Sequence, residues 1–131
     1  MKTAADIPCR FQSSRFEGKP LAIIGGKPMM WHVYQQVTKA ASIEVAYIAT
    51  DNVDIGKACD ELGMKWIMTS DQHLTGTDRV AECARKLDVD VIVNVQGDEP
   101  FILPESIDAV TKALLEGTIS GLAATNGYGV I

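Results

Sequence analysis

IPCRFQSSRFEGKPL, residues 7–21, ends an apolar run and turns at once into a basic, hydroxyl-rich loop. Ala4 to Pro8 reads as a first strand, and a buried strand that opens directly into such a loop points to an α/β sheet with ligand loops at its strand ends. Arg10, Arg15 and Lys19 share the segment with Ser13, Ser14 and Gly18. Lysine and arginine neutralise phosphate oxygens, free backbone N–H groups cradle them, and Gly18 permits close approach of the backbone. The spacing is neither the GxxxxGK(S/T) of a P-loop nor the GxGxxG of a dinucleotide turn. By its residues alone the loop reads equally as a phosphate cradle or as a solvated basic loop.

Outward from this loop, helical and extended patterns alternate. Gly25, Gly26 and Pro28 announce a helix with Pro28 in its first turn, and Met30, Val33, Tyr34, Val37 and Ala41 share one helical face. VAYIAT, Val45 to Thr50, is a second strand running into Asp51 and Asn52, both good N-cap residues. Ile55, Ala58, Cys59 and Leu62 form the apolar face of the next helix, which stops at Gly63. Lys65 to Thr69 is a third strand. Thr75 to Asp78 opens a helix with Val80, Cys83, Ala84 and Leu87 on one side. Val89 to Val95 is a fourth strand, and a helix from Pro104 to Glu116 turns Ile107, Val110 and Leu114 inward before Gly117. Gly121 to Ile131 begins like a fifth strand and then becomes polar and glycine-rich.

The order β, loop, α, β, α, β, α, β, α predicts one open parallel sheet, Rossmann-like in character, with flanking helices and right-handed crossovers. Ala4, Ala5 and Asp6 are weak strand formers for a central position in it. Ligands of such sheets collect outside the carboxyl ends of the strands. There the pattern places the basic loop, Thr50 with Asp51, residues 70–79, and the segment from Gln96 to Pro100.

The 131 residues suit one domain, residues 1–131. A net charge of −5 and a pI near 4.9 argue against a nucleic-acid partner. Positive charge is local: Cys9 to Lys27 holds Arg10, Arg15, Lys19 and Lys27 against the single acid Glu17. Cys9, Cys59 and Cys83 are odd in number and widely spaced, without CxxC or metal spacing, and read as reduced thiols of a cytoplasmic protein. The first residues carry no apolar signal core, and no run is long enough for a membrane span.

Taken together, IPCRFQSSRFEGKPL and the following GGKPMMWHVY resemble the amino-terminal signature of the sugar-acid cytidylyltransferases, most closely their 3-deoxy-manno-octulosonate (Kdo) branch. HLTGTDRVAE and VNVQGDEPFI resemble that family's later motifs in the same order, so the likeness covers essentially the whole chain. The resemblance implies a sheet of the nucleotide-diphospho-sugar transferase type. It also implies transfer of CMP from CTP to Kdo with release of pyrophosphate, serving lipopolysaccharide or capsule synthesis, with Mg²⁺ and a homodimer. Lys19 is then placed at the charge near the reacting phosphorus, and Arg10 and Arg15 on the triphosphate. For an isolated Asp98–Glu99 pair a turn-and-cap role is the plainer reading; the resemblance makes Asp98 the metal carboxylate.

Further nucleotide contacts implied are Cys9, Ser13 and Ser14 in the first loop, Thr50 and Asp51 after the second strand, and His73, Gly76, Thr77 and Arg79 closing over the nucleoside. Gln96 resembles the residue that meets the sugar acid. Thr77 also suits a helix cap, and Asp51 either approaches the cytosine or only caps the next helix. His32 reads as structural. Glu17 stands where the family more often has proline. The family continues for about as much chain again, so the resemblance implies an amino-terminal half, apparently truncated, with a second metal carboxylate and most sugar-acid contacts beyond it. A CTP-binding fragment without turnover, and a transferase for a related sugar acid, are the two other readings.

Overall fold

A computed structural model describes residues 3–10, 19–69, 82, 86, 91–95, 97, 100–115 and 128–130. Five strands form one sheet: β1 (Thr3–Pro8), β4 (Val45–Thr50), β5 (Trp66–Met68), β6 (Val91–Asn94) and β7 (Tyr128–Val130). Their order is β5-β4-β1-β6-β7, and every pairing is parallel. The chain therefore steps from β1 to β4 and β5 on one side and then crosses to β6 on the other. The expected open parallel sheet is present, with β1 at its centre. The fifth strand lies at Tyr128–Val130, later than the Gly121 start read from the sequence, and residues 121–127 lie outside the described residues.

Strand alternation divides the buried residues into two faces. Ala5, Ile7 and Cys9 of β1 and its exit join Ala46, Ile48, Val91, Val93 and Val95 in one hydrophobic cluster. Over it pack α1 (Met29–Thr38) through Met30, Val33 and Val37, α2 (Val53–Leu62) through Ile55 and Cys59, and α3 (Pro104–Leu115) through Ile107. Ala4, Asp6, Ala49, Ile92 and Asn94 alternate with these and are also buried. Two hydrogen bonds tie each helix to the segment next to the other: Gln36 Nε2 of α1 donates to the Ile102 carbonyl just before α3 at 2.8 Å, and the Ser42 N–H beyond α1 donates to Asp108 Oδ1 of α3 at 3.0 Å. The Ser42 hydroxyl also donates to Asp108, and the bonds from Ser42 hold the Asp108 carboxyl below the usual carboxylate range.

The entry to α1 differs from the expected helix start. Ile23 pairs with Pro28 and Ile24 with Lys27, making a small hairpin of β2 (Ile23–Ile24) and β3 (Lys27–Pro28). Gly25 and Gly26 sit at φ 58° and 87°, the two positive values that a type I′ turn requires. Pro28 is thereby held extended as the N-cap, and the helix starts at Met29. At the other end Ala41 is exposed, while Ala40 is buried in its place. The cause is a tightening of the last turn: Lys39 and Ala40 donate to the carbonyls of Gln36 and Val37, three residues back, which rotates the chain out of the α-helical phase. His32 is structural as expected, its Nε2 lying 2.6 Å from the Ile24 carbonyl of the hairpin.

The second helix follows its sequence signals at both ends. Asn52 Oδ1 accepts from the N–H groups of Asp54 and Ile55 at 2.8 and 3.1 Å, so Asn52 rather than Asp51 is the cap. Gly63, at φ 71°, closes the helix with bonds from Gly63 to Asp60 and from Met64 to Cys59, a Schellman pattern that buries Met64. Burial pushes the Cys59 thiol on this helix up to about 12, with Asp60 adding to the effect. Cys9 and Cys59 are both free, buried thiols, and Cys83 lies outside the described residues. The helix expected after Thr75 also lies largely outside them; Glu82 and Lys86 are helical and form an ion pair at 2.7 Å.

A Cβ on Gly56 of α2 would stand 2.5 Å from the Trp66 ring. Alanine there gains about 1 kcal/mol of helix propensity but meets an overlap of the kind that costs ~1–3 kcal/mol. The indole can move only by giving up its Nε1 bond to Asp60, 2.9 Å long. Gly56→Ala is expected to destabilise the fold by about 1 kcal/mol in urea denaturation. Unchanged or higher stability would show that Trp66 moves aside without loss.

Candidate functional site

Backbone hydrogen bonds continue past the regular strands and align their carboxyl ends. Cys9 N–H donates to the Ala49 carbonyl at 2.8 Å, Thr69 N–H to the Thr50 carbonyl at 2.8 Å, and Val95 N–H to the Asp6 carbonyl at 2.9 Å. The exits of β1, β4, β5 and β6 therefore stand side by side along one edge. This is the edge where a parallel sheet binds its ligands, and β1 and β6, whose chain connections run in opposite directions, mark its switch point.

Cys9, Arg10, Thr50 and Asp51 are brought together on this edge by the neighbouring strands β1 and β4. Arg10 is exposed and Asp51 half-buried. Thr50 is buried, and its Oγ1 accepts the Asn52 N–H at 3.1 Å, which shapes the turn that carries Asp51. Cys9 is 1% exposed with its sulfur in the core cluster. Burial, then Cys59 and Asp6, push its thiol well above the ordinary cysteine value, so it remains protonated and is no nucleophile. What Cys9 offers a ligand is its position in the backbone. Lys19 begins a 3-10 helix, Lys19–Leu21, that packs against α1 with Pro20 buried. The Lys19 side chain, Ser13, Ser14, Arg15, His73, Gly76, Thr77, Arg79, Gln96 and Asp98 lie outside the described residues.

Two features of the edge go beyond the sequence reading, which had Gly97 only within the segment from Gln96 to Pro100. Asp6 and Asn94 are paired in register on β1 and β6, 1% and 2% exposed, directly behind the strand exits. Their only sequence signal is that each interrupts an otherwise apolar strand. Asn94 Oδ1 is buried with no hydrogen-bond partner among the described residues. The second feature is Gly97, whose ideal Cβ would lie 2.5 Å from the Pro8 carbonyl oxygen and 3.1 Å from Cys9 Sγ. The chain leaving β6 thus lies directly on the chain leaving β1. Among the described residues no group of three or more His, Cys, Asp or Glu is placed to hold a metal. No helix formed by the described residues is long and apolar enough to cross a membrane.

An edge of this kind, with a cation and buried hydroxyl at adjacent strand exits on an acidic protein, suits an anionic nucleotide ligand. Similarity to known proteins points the same way. The chain is 53% identical over 116 residues to the 3-deoxy-manno-octulosonate cytidylyltransferase of Geotalea uraniireducens, covering 88% of this chain and 46% of that protein. It is 51% identical over 116 residues to the enzyme of the same name from Pelobacter propionicus, with the same coverage. The chain thus spans about half the length of the curated relatives it matches. Among solved structures it is similar to CMP:2-keto-3-deoxy-manno-octonic acid synthetase complexed with CTP, with a TM-score of 0.85, 38% identity, and coverage of 90% of this chain and 49% of that one. A cytidylyltransferase from Leptospira borgpetersenii shares the fold at a TM-score of 0.77 and 21% identity over 88% of this chain and 50% of its own. The family model described as cytidylyltransferase matches residues 4–127, nearly the whole sequence, and the chain belongs to that family.

Proposed function

We propose that this chain supplies the CTP-binding part of an enzyme that joins CMP to 3-deoxy-manno-octulosonate and releases pyrophosphate. The observation that carries the reading is the match, at about half identity, to relatives named for that reaction, over the segment that includes the strand-exit edge. In the reaction a hydroxyl oxygen of the sugar acid bonds to the α-phosphorus of CTP, the bond from that phosphorus to the bridging oxygen breaks, and the hydroxyl proton is lost. Charge builds on the phosphate oxygens, so catalysis is chiefly positioning and neutralisation.

Arg10 stands at the β1 exit, where it can meet the triphosphate. Lys19 and Arg15 belong to the same loop in sequence and are assigned the same task, with Lys19 nearest the reacting phosphorus. Thr50, Asp51 and residues 73–79 are assigned to the nucleoside, and Gln96 to the sugar acid. Mg²⁺ asks for one or two carboxylates completed by phosphate oxygens and water, a donor set that Asp98 and bound CTP fit. When bound it would supply charge neutralisation at those oxygens. A homodimer, a cytoplasmic location and a place in lipopolysaccharide or capsule synthesis go with the same reading.

CTP preference tests the base-binding assignment. In calorimetric titration with Mg²⁺, CTP is expected to bind this chain about tenfold or more tighter than ATP, a difference of ~1.4 kcal/mol or more. Equal affinities would show that the Asp51 turn and residues 73–79 do not form a cytosine pocket.

A further inference from the structure

Gly97 differs from Gly25, Gly26, Gly56 and Gly63 in what stands against it. The overlap at Gly56 is with the free end of an indole ring, and nothing lies within 4 Å of a Cβ at Gly25, Gly26 or Gly63. At Gly97 the obstacle is the Pro8 carbonyl, part of the backbone of the central strand, with the buried Cys9 sulfur beside it. Neither can withdraw: Cys9 is bonded to Ala49 on one side, and the strand behind it is paired to both β4 and β6. Any side chain at 97 must therefore lift the β6 exit away from the β1 exit. The same connection is held again farther on, where Ile102 is buried and its carbonyl accepts the Gln36 side chain.

We propose that Gly97 is a positioning residue for the nucleotide site, seating the β6 exit on Pro8 and Cys9 so that the residues following both strands meet one ligand, and that Gln36 secures the far end of that connection. The proposal rests on the reading of the edge as a CTP site. In sequence Arg10 directly follows Cys9 and Asp98 directly follows Gly97, so the contact fixes the two points of the chain from which these two residues start.

Calorimetric titration of CTP in Mg²⁺ buffer, together with mass-spectrometric rates of Cys9 alkylation, tests it on wild type, Gly97→Ala, Gln36→Leu and Gly56→Ala. Gly97→Ala is expected to weaken CTP binding about tenfold or more and to speed Cys9 alkylation, because the seat over the sulfur opens. Gln36→Leu, which loosens the connection without an overlap, is expected to weaken CTP binding with little change at Cys9. Gly56→Ala, an overlap of equal depth on an outer helix, is expected to change neither. Wild-type CTP binding retained in Gly97→Ala or, should that variant not fold, in Gln36→Leu would overturn the positioning role while leaving the CTP reading intact. A wild-type chain that shows no CTP binding would overturn both, whatever the alkylation rates.

Discussion

Replacing Lys19 by alanine in a full-length protein carrying this chain is expected to lower turnover by roughly 10²–10³, the loss seen when one preorganised charge-stabilising donor is removed from a transition state. Asp98→Asn is expected to do at least as much, because under the proposed function it removes the carboxylate assigned to Mg²⁺. Lys19 begins a 3-10 turn anchored by the buried Pro20, and Asp98→Asn keeps the size and shape of the side chain, so the fold should survive. Steady-state kinetics with CTP and Kdo beside circular dichroism make the comparison. Near-normal turnover in a folded variant would remove that residue from the mechanism.

The largest loss of stability is expected from Ile48→Ala. Ile48 is fully buried on β4, in register with Ile7 on one side and Trp66 on the other, and belongs to the cluster under α1 and α2. Three strands side by side cannot collapse into the space a shortened side chain leaves. The cost therefore falls in the range for large-to-small core changes, ~2–5 kcal/mol, against a total of ~5–15 kcal/mol for a domain of this size. Urea denaturation of the two proteins measures it, and a loss below about 1 kcal/mol would show a core that relaxes around the vacancy.

Much of this architecture could be read before any coordinates. β4 was legible to the residue because an apolar run met a strong cap at Asn52, and α2 ended where Gly63 said it would. Local signals fail where distant chain decides. The two glycines before Pro28 read as a helix approach, yet pairing of Ile23 with Pro28 makes them a hairpin turn. Ala41 fits the helical period, but a tightened last turn carries Ala40 inward instead. At the strand-exit edge, Arg10, Thr50 and Asp51 were legible from their places at strand ends, and Cys9 only through the family resemblance. Asp6 and Asn94 were not, since a polar residue in a strand acquires a neighbour only through register. Nor was the seat of Gly97, because a glycine after a strand looks alike whether it faces solvent or a carbonyl oxygen.

Register carries one more consequence, for the chain as it is made. Thr3 pairs with Val91, whereas Ala4 pairs with Val45. The central strand is thus made before both of its partner strands and is among the last to be enclosed. Once Val45–Thr50 has emerged, β1, α1 and β4 can form a local unit, but the opposite edge of β1 stays open until residue 91 is synthesised. At ~5–20 residues per second that interval lasts seconds, during which an unpaired strand edge is a site for wrong partners. Asp6, in the middle of that edge and in register with Asn94 in the folded sheet, interrupts the apolar run of the waiting strand and makes its open edge a poorer template for stray apolar strands.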